Sequence, residues 1–316
     1  MELRPYRDAD VEAVVSLWNS SVKGCYATGP LTEERFLSDV AGKCYFEPDG
    51  LILAFERGRP VAFAHAGFKS TDWIAPDRRS GTVSMAAVES GHMEAGEAAV
   101  AQAIRYLLKR GAKQVEAFTI DFASTPFYNG LYGGEKAGMD EAHPGGWEVL
   151  GRCGFRVHYG TVIMTADLTE DTEPLSEFNG MQVRTGPWNS PIAGRDPSQC
   201  YGIPENVQRT GLIGSDGNEK AGVSFWHLDR YNESTGERLA VVSHVGSAEE
   251  LWGTGASLAV QREVHRIVKS EGATRVGLGT GGSNGRAVSF YRKLGYEVIK
   301  SAAVFFLDWR RYGDYR

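Results

Sequence analysis

Two short runs in the second half of the chain combine residue types and spacings that could do chemistry. The first is Gly253-Thr254-Gly255, which follows a strand pattern over residues 239–245 and opens an amphipathic helix. Glycines at a helix start leave backbone N–H groups unobstructed, and the helix dipole there favours an anion. The second run is Asn284-Gly-Arg-Ala-Val-Ser-Phe-Tyr291-Arg-Lys-Leu-Gly295-Tyr296. It puts the Tyr291 phenol on a further helix, after one intervening strand. The two runs predict a phosphate cradle with a proton donor close by.

The elements that must position these residues occur twice. Aligning Gly96-Glu-Ala98 with Gly253-Thr-Gly255 places Val88 and Val245 each eight residues upstream of its glycine. Each glycine step is expected to open a helix. Val100, Ala103, Ile104 and Leu107 share one helical face, and Val260, Val264, Ile267 and Val268 share the other. Gly111 and Gly272 suit C-caps, and Val115 and Val276 begin short strands after them. Counted between these glycines, the second helix is longer by four residues, about one turn. Further on, Arg152-Cys-Gly154-Phe155 matches Lys293-Leu-Gly295-Tyr296.

The copies differ in their connections. The first has a helical entry, with Asp8 or Asp10 as cap for a helix carrying Val11, Val14, Val15 and Leu17, and a second helix starting at Thr32. The second compresses its entry into the proline- and glycine-broken residues 187–207. The first inserts residues 119–146, rich in glycine and aromatics and carrying Phe127, Tyr128, Asn129, Tyr132, Glu135 and His143. That insertion reads either as a lid or substrate wall or as a surface loop packed on its own rings. Ser215-Asp-Gly-Asn and Asn232-Glu-Ser-Thr-Gly are turns in a strand meander. The fold class is α+β, as two tandem domains with central mixed, mostly antiparallel sheets flanked by helices. Residues 1–168 form one domain, the acidic 169–180 a linker, and 181–316 the other.

With 316 residues, 42% hydrophobic and 23% charged, the chain is in the range of ordinary two-core proteins. A net charge of −6 argues against a general nucleic-acid binder. Cys25, Cys44, Cys153 and Cys200 show neither a Cys-x-x-Cys pair nor metal-ligand spacing, so no metal is expected. The charged N-terminus does not suit a signal peptide, and no apolar run approaches the ~20 residues of a membrane span. A cytoplasmic protein is the expectation. The oligomeric state is not legible.

The glycine turn, the valine eight residues before it and the Asn284–Tyr296 run together resemble the GNAT superfamily of acyl-CoA-dependent N-acetyltransferases. The tandem layout is similar to the mycothiol synthase type. The resemblance covers the second half well and the first in outline. It implies acetyl-CoA as cofactor and a small amine as acceptor. It also implies a pyrophosphate site at Leu251, Trp252, Gly253, Thr254, Gly255 and Ala256. The Val245 backbone would pair with pantetheine amides as an added strand does. Asn284 would contact the cofactor, and Tyr291 would protonate the departing thiolate. One departure stands out: Glu250 occupies a position where the family has Gln or Arg.

Each residue also has a plainer reading. Tyr291 can be a core aromatic beside Phe290, Asn284 a helix cap, and Arg286 a solvated cation rather than a phosphate ligand. His244 is a candidate base or a hydrogen-bonded histidine within the sheet, with His227 and Asp229 as weaker candidates. In the first half Leu150 stands in the place of Tyr291, His143 in that of Asn284, and Met93 in that of Gln or Arg. That half is expected to be catalytically silent, with a CoA site at 96–98 left open. Two competing functions are a non-catalytic acyl-CoA-binding sensor or interaction module, and a dinucleotide enzyme suggested by Gly277-Leu-Gly279-Thr-Gly-Gly282.

Overall fold

A computed structural model of the chain describes residues 1–43, 46–71, 75–118, 138–143, 145–170, 172–188 and 206–315. Among them, 14 strands form a single sheet. The first half supplies β1 (Glu2–Pro5), β2 (Leu51–Glu56), β3 (Arg59–Thr71), β4 (Ala75–Val88), β5 (Gln114–Ala117), β6 (Met139–Asp140) and β7 (Phe155–Asp167). The second half supplies β8 (Glu177–Phe178), β9 (Met181–Pro187), β10 (Gln208–Ile213), β11 (Glu219–His227), β12 (Leu239–Ser247), β13 (Arg275–Gly281) and β14 (Glu297–Leu307). The flanking helices are α1 (Val11–Ser21), α2 (Glu33–Phe36), α3 (Met93–Lys109), α4 (Gly146–Arg152), α5 (Asp229–Thr235), α6 (Ala256–Ser270) and α7 (Gly285–Arg292). This is the α+β architecture expected from the strand and helix patterns.

Several local signals act as the sequence suggests. Thr32 caps α2 by accepting from the Arg35 N–H at 3.2 Å. The turn at 215–218 joins β10 to β11, with Gly217 left-handed at φ 78°. Asp10 precedes α1 but does not cap it. Its carboxylate instead takes both Arg4 nitrogens at 2.6 and 2.7 Å and the Arg7 N–H at 2.8 Å. Asn232-Glu-Ser-Thr-Gly is not a strand turn, because α5 forms there and Gly236, at φ 75°, closes it with a bond to the Asn232 carbonyl. Most of 187–207 and 119–146 lies outside the described residues, including Phe127, Tyr128, Asn129, Tyr132 and Glu135.

The strand order runs β1-β2-β3-β4-β5-β14-β7-β13-β12-β11-β10-β9-β8. The last long strand of each half therefore sits inside the other half's sheet. β14 lies between β5 and β7, pairing Phe305 with Ala117 and Phe306 with Glu116. β7 lies between β14 and β13, in antiparallel register from Arg275↔Asp167 to Gly281↔Thr161. The segment after β14 then returns to the first half, where Tyr315 Oη donates to the Cys153 carbonyl at 2.7 Å and Tyr312 Oη accepts from the Val115 N–H at 3.0 Å.

The cores follow the same exchange. One cluster unites first-half residues with Trp226, Leu228, Tyr231, Leu239 and Val241 of the second half. The other lies under α6, where Val260, Val264 and Val268 are fully buried, and it includes Met164 and Ala166 of β7.

Residues 1–168 expressed alone would lack β14 and would expose unpaired edges on both β5 and β7. We expect that fragment to self-associate or aggregate in size-exclusion chromatography with light scattering. A well-folded monomer would contradict the exchange.

Candidate functional site

The β12–β13 pair is parallel and short. It registers only Leu239↔Arg275, Ala240↔Val276 and Val241↔Gly277, although β12 continues to Ser247 and β13 to Gly281. Beyond Val241 the two strands part and leave a V-shaped opening. The cause lies in β12, which slips register against β11 between Gly222 and Ser224. An extra residue there makes a bulge, which bends a strand. His244 takes the strained position, at φ 47°.

The glycine turn sits at the mouth of this opening. Gly253 and Gly255 are left-handed, at φ 79° and 88°, and Gly255 is the N-cap of α6. The Thr254 hydroxyl donates to the Leu251 carbonyl at 2.8 Å, which closes the turn. The helix ladder begins with the Ala259 N–H on the Gly255 carbonyl at 2.9 Å, so the N–H groups of Ser257 and Leu258 have no partner within the helix. Gly253, Thr254 and Gly255 are exposed, whereas Ala256 is buried and Leu251 and Val245 pack against the α6 core. Leu251 and Ala256 thus anchor the loop, and the polar backbone around them faces outward.

Glu250 does not enter the cradle. It lies exposed on the single turn Glu249–Leu251, where its charge acts on Lys220. Trp252 is 51% exposed, and its Nε1 donates to the Ser247 carbonyl at 3.3 Å. Arg286, at the start of α7, stacks on the Trp252 ring at 4.5 Å. This contact joins the glycine loop to α7. Asn284 caps α7, its Oδ1 accepting from the Ala287 N–H at 3.0 Å. Tyr291, 9% exposed, sits among aromatics, 5.2 Å from the Phe290 ring and 5.6 Å from the Tyr296 ring.

His244 is exposed and lies on the Trp188 ring, centroids 4.5 Å apart, with Nδ1 2.6 Å from Ser243 Oγ. Desolvation, reinforced by the Arg209 charge, lowers its pKa below the usual 6.5. Its neutral, proton-accepting form therefore prevails at pH 7. His227 and Asp229 are not brought to this site. They line a cavity of about 790 Å³ at the other end of the strands, and His227 pairs with Glu271 at 2.8 Å.

The first half does not repeat the cradle at the aligned residues 96–98. α3 begins at Met93, so Gly96 and Ala98 lie within the helix rather than before it. The Gly96 N–H is already bonded to the His92 carbonyl at 3.2 Å. Gly96 is glycine for packing: a Cβ there would collide with Val88 and meet Val149 at 3.1 Å. The early start also makes α3, at 17 residues, longer than the 15-residue α6, the reverse of the sequence expectation. Leu150 is fully buried, and His143 is buried beside Phe118.

The G-x-G-x-x-G run is no helix-start loop either, because Gly277 to Gly281 lie within β13. A Cβ on Gly277 would collide with the Tyr26 hydroxyl. Tyr26 of the first half, buried and held by its N–H to Asp140 Oδ2 at 2.9 Å, therefore packs where the V begins. Nothing in its sequence surroundings signals this.

The sequence matches no family model and no curated protein. The structure, by contrast, is similar to solved acetyltransferases over nearly its whole length. A GCN5-related N-acetyltransferase from Sphaerobacter thermophilus superposes with a TM-score of 0.61 at 16% identity, over 98% of this chain and 95% of that one. A tandem GNAT protein from the clavulanic acid biosynthesis pathway gives 0.60 at 15%, over 98% of each. The chain has the tandem GNAT fold. A glucosamine N-acetyltransferase region of a fungal multi-domain β-N-acetylglucosaminidase gives 0.63 at 13%, over 97% of this chain and 38% of that one. Among the described residues no helix is long and apolar enough to cross a membrane, and no cluster of three or more His, Cys, Asp or Glu could hold a metal ion.

Since Gly96 packs and Gly255 opens a helix, the two should respond differently to alanine. Gly96→Ala is expected to lower stability by about 1–3 kcal/mol through overpacking and to leave acyl-CoA affinity unchanged. Denaturant melts and calorimetry check both. A folded Gly96→Ala variant of normal stability with weakened binding would show that the first half does hold the ligand.

Proposed function

We propose that the chain transfers an acetyl group from acetyl-CoA to a small amine, with residues 181–316 as the catalytic unit, 1–168 as a catalytically silent support and 169–180 between them. One observation carries this reading: a bulge-driven opening between β12 and β13 ends at a helix start set by two left-handed glycines, where the Ser257 and Leu258 N–H groups have no partner within the helix. The residues present suit the cofactor. Backbone donors at Gly255, Ser257 and Leu258 offer a pyrophosphate both hydrogen bonds and the helix dipole. The unpaired edge of β12 around Val245 suits pantetheine amides. Glu250, turned outward, does not oppose the phosphates.

Acetyl-CoA, when bound, supplies an activated thioester. The remaining chemistry falls to side chains. The amine enters from the sheet face opposite α6, where His244 is neutral and accessible to accept its proton. Tyr291, on α7, gives a proton to the departing sulfur. Asn284 keeps its cap and turns its remaining amide groups to the cofactor. Holding the two reactants in contact supplies much of the acceleration.

Burial of Tyr291 among Phe290 and Tyr296 also suits a second reading, a non-catalytic acyl-CoA-binding module. Thiol release measured over a panel of amines separates the two. Tyr291→Phe is expected to lower turnover about 100-fold with acetyl-CoA affinity within twofold. Equal turnover would remove the general-acid role. Gly255→Ala puts a Cβ at a left-handed position, a strain of roughly 1–2 kcal/mol. It should weaken acetyl-CoA binding about tenfold by calorimetry, and unchanged affinity would place the pyrophosphate elsewhere.

A further inference from the structure

The sheet face opposite α6 carries polar groups where a second core layer would ordinarily pack. Leu212, Val223, Phe225 and Val242 point toward α6. The alternating residues Arg209, Ser224 and Ser243 form one cross-strand row on the other face. Arg209 donates from Nε and Nη2 to the Glu219 carboxylate at 2.6 to 3.0 Å. The pair lies flat on the sheet because two strand positions are glycine. A Cβ on Gly211 would meet Glu219 Oε2 at 2.6 Å, and one on Gly222 would meet Arg209 Nη2 at 2.6 Å.

The third guanidinium nitrogen does the work of interest. Nη1 donates to Ser224 Oγ at 2.9 Å and to the His244 carbonyl at 3.2 Å. A bulge leaves its extra residue outside the ladder, with a backbone group in need of a partner. Arg209 supplies that partner from two strands away. Trp188 covers the assembly, 5.9 Å from the guanidinium and 4.5 Å from the imidazole.

We propose that Arg209 is a positioning residue of the acceptor side: braced by Glu219, its guanidinium holds the His244 carbonyl, and with it both the β12 bulge that opens the cleft and the setting of the imidazole under Trp188. One hydrogen bond thereby links the shape of the cofactor opening to the placement of the candidate base. The kinetic arm of this inference rests on the acyl-transfer reading, and its structural arm does not. The groups facing His244 are Arg209 from β10, Glu219 and Ser224 from β11, Ser243 beside it on β12, and Trp188 after β9. Among them the Arg209 charge lies close enough to disfavour imidazolium.

The test uses the full chain and Arg209→Gln, with folding checked by circular dichroism and thermal melt. In NMR with ring-labelled histidine, the His244 pKa should rise once the cation is gone. The acid limb of acetyl transfer should move upward with it, and transfer should fall about tenfold or more. Hydrogen exchange of the β12 amides that pair with β11 should quicken as the bulge loosens. Arg209→Lys should keep the His244 pKa low yet still lose transfer and exchange protection, since an ammonium cannot span Glu219 and the His244 carbonyl together. A folded Arg209→Gln protein with wild-type pKa, rate and exchange would overturn the proposal. If Arg209→Gln does not fold, Arg209→Lys carries the test, and wild-type transfer and exchange there would overturn it. If the wild-type chain acetylates no amine, the acyl-transfer reading falls, while histidine titration and exchange still decide the role of Arg209.

Discussion

Backbone pairing across the middle of the sheet is the constraint on which the rest of the structure depends. β14 lies between β5 and β7, and β7 between β14 and β13. Every central strand thus finds its N–H and C=O partners in the other half of the chain, and buried backbone groups without partners are costly. A linker can join two repeats while leaving each free. Two exchanged strands bind each repeat's sheet to the other, and the cores mix accordingly, with Met164 and Ala166 of the first half under α6 of the second. The C-terminal turn reinforces the exchange by bonding back to Cys153 and Val115.

That coupling gives the two repeats room to diverge. Both keep a bulge in the strand before the turn, in β12 and in β4, whose pairing with β3 shifts between His65 and Ala66, and the second adds two left-handed glycines directly before its helix. In the first, α3 starts at Met93, and the aligned glycine sinks into the helix as a packing contact with Val88. In the repeat alignment α3 starts six residues earlier than α6, so the N–H of the aligned glycine is spent inside the helix, and the N–H groups without a helix partner move to Met93 and Glu94. The first repeat contributes in a different way. Its Tyr26 packs on Gly277 at the point where β12 and β13 part, and its Ala27 lies in the core cluster that also takes in Trp226 and Val241 of the second half.

Features governed by a few neighbouring residues were legible in the sequence. The left-handed glycines at 253 and 255, the caps at Thr32 and Asn284 and the hairpin at 215–218 follow from side-chain size or from hydrogen bonds that close within one turn. The repeat alignment was less reliable, because one glycine can open a helix or sit inside it, and what separates the two is whether Val88 lies against it. Asn232-Glu-Ser-Thr-Gly carries turn residues, yet Tyr231 is buried against the core and α5 forms around it. In both places packing outweighs local preference.

Residue order alone determined the α+β class, the duplication, the helix start at Gly255 and the side chains on offer around it. Each depends on short-range sterics or on a hydrophobic period, and both are written in adjacent residues. The exchange of β7 and β14, the seat of Tyr26 on Gly277 and the reach of Arg209 to the His244 carbonyl were decided by the tertiary structure. Those contacts join residues 35 to 251 positions apart. At such separations the partner is selected by which strand edges and which glycine-cleared surfaces the folded sheet brings together, and no neighbouring residue encodes that choice.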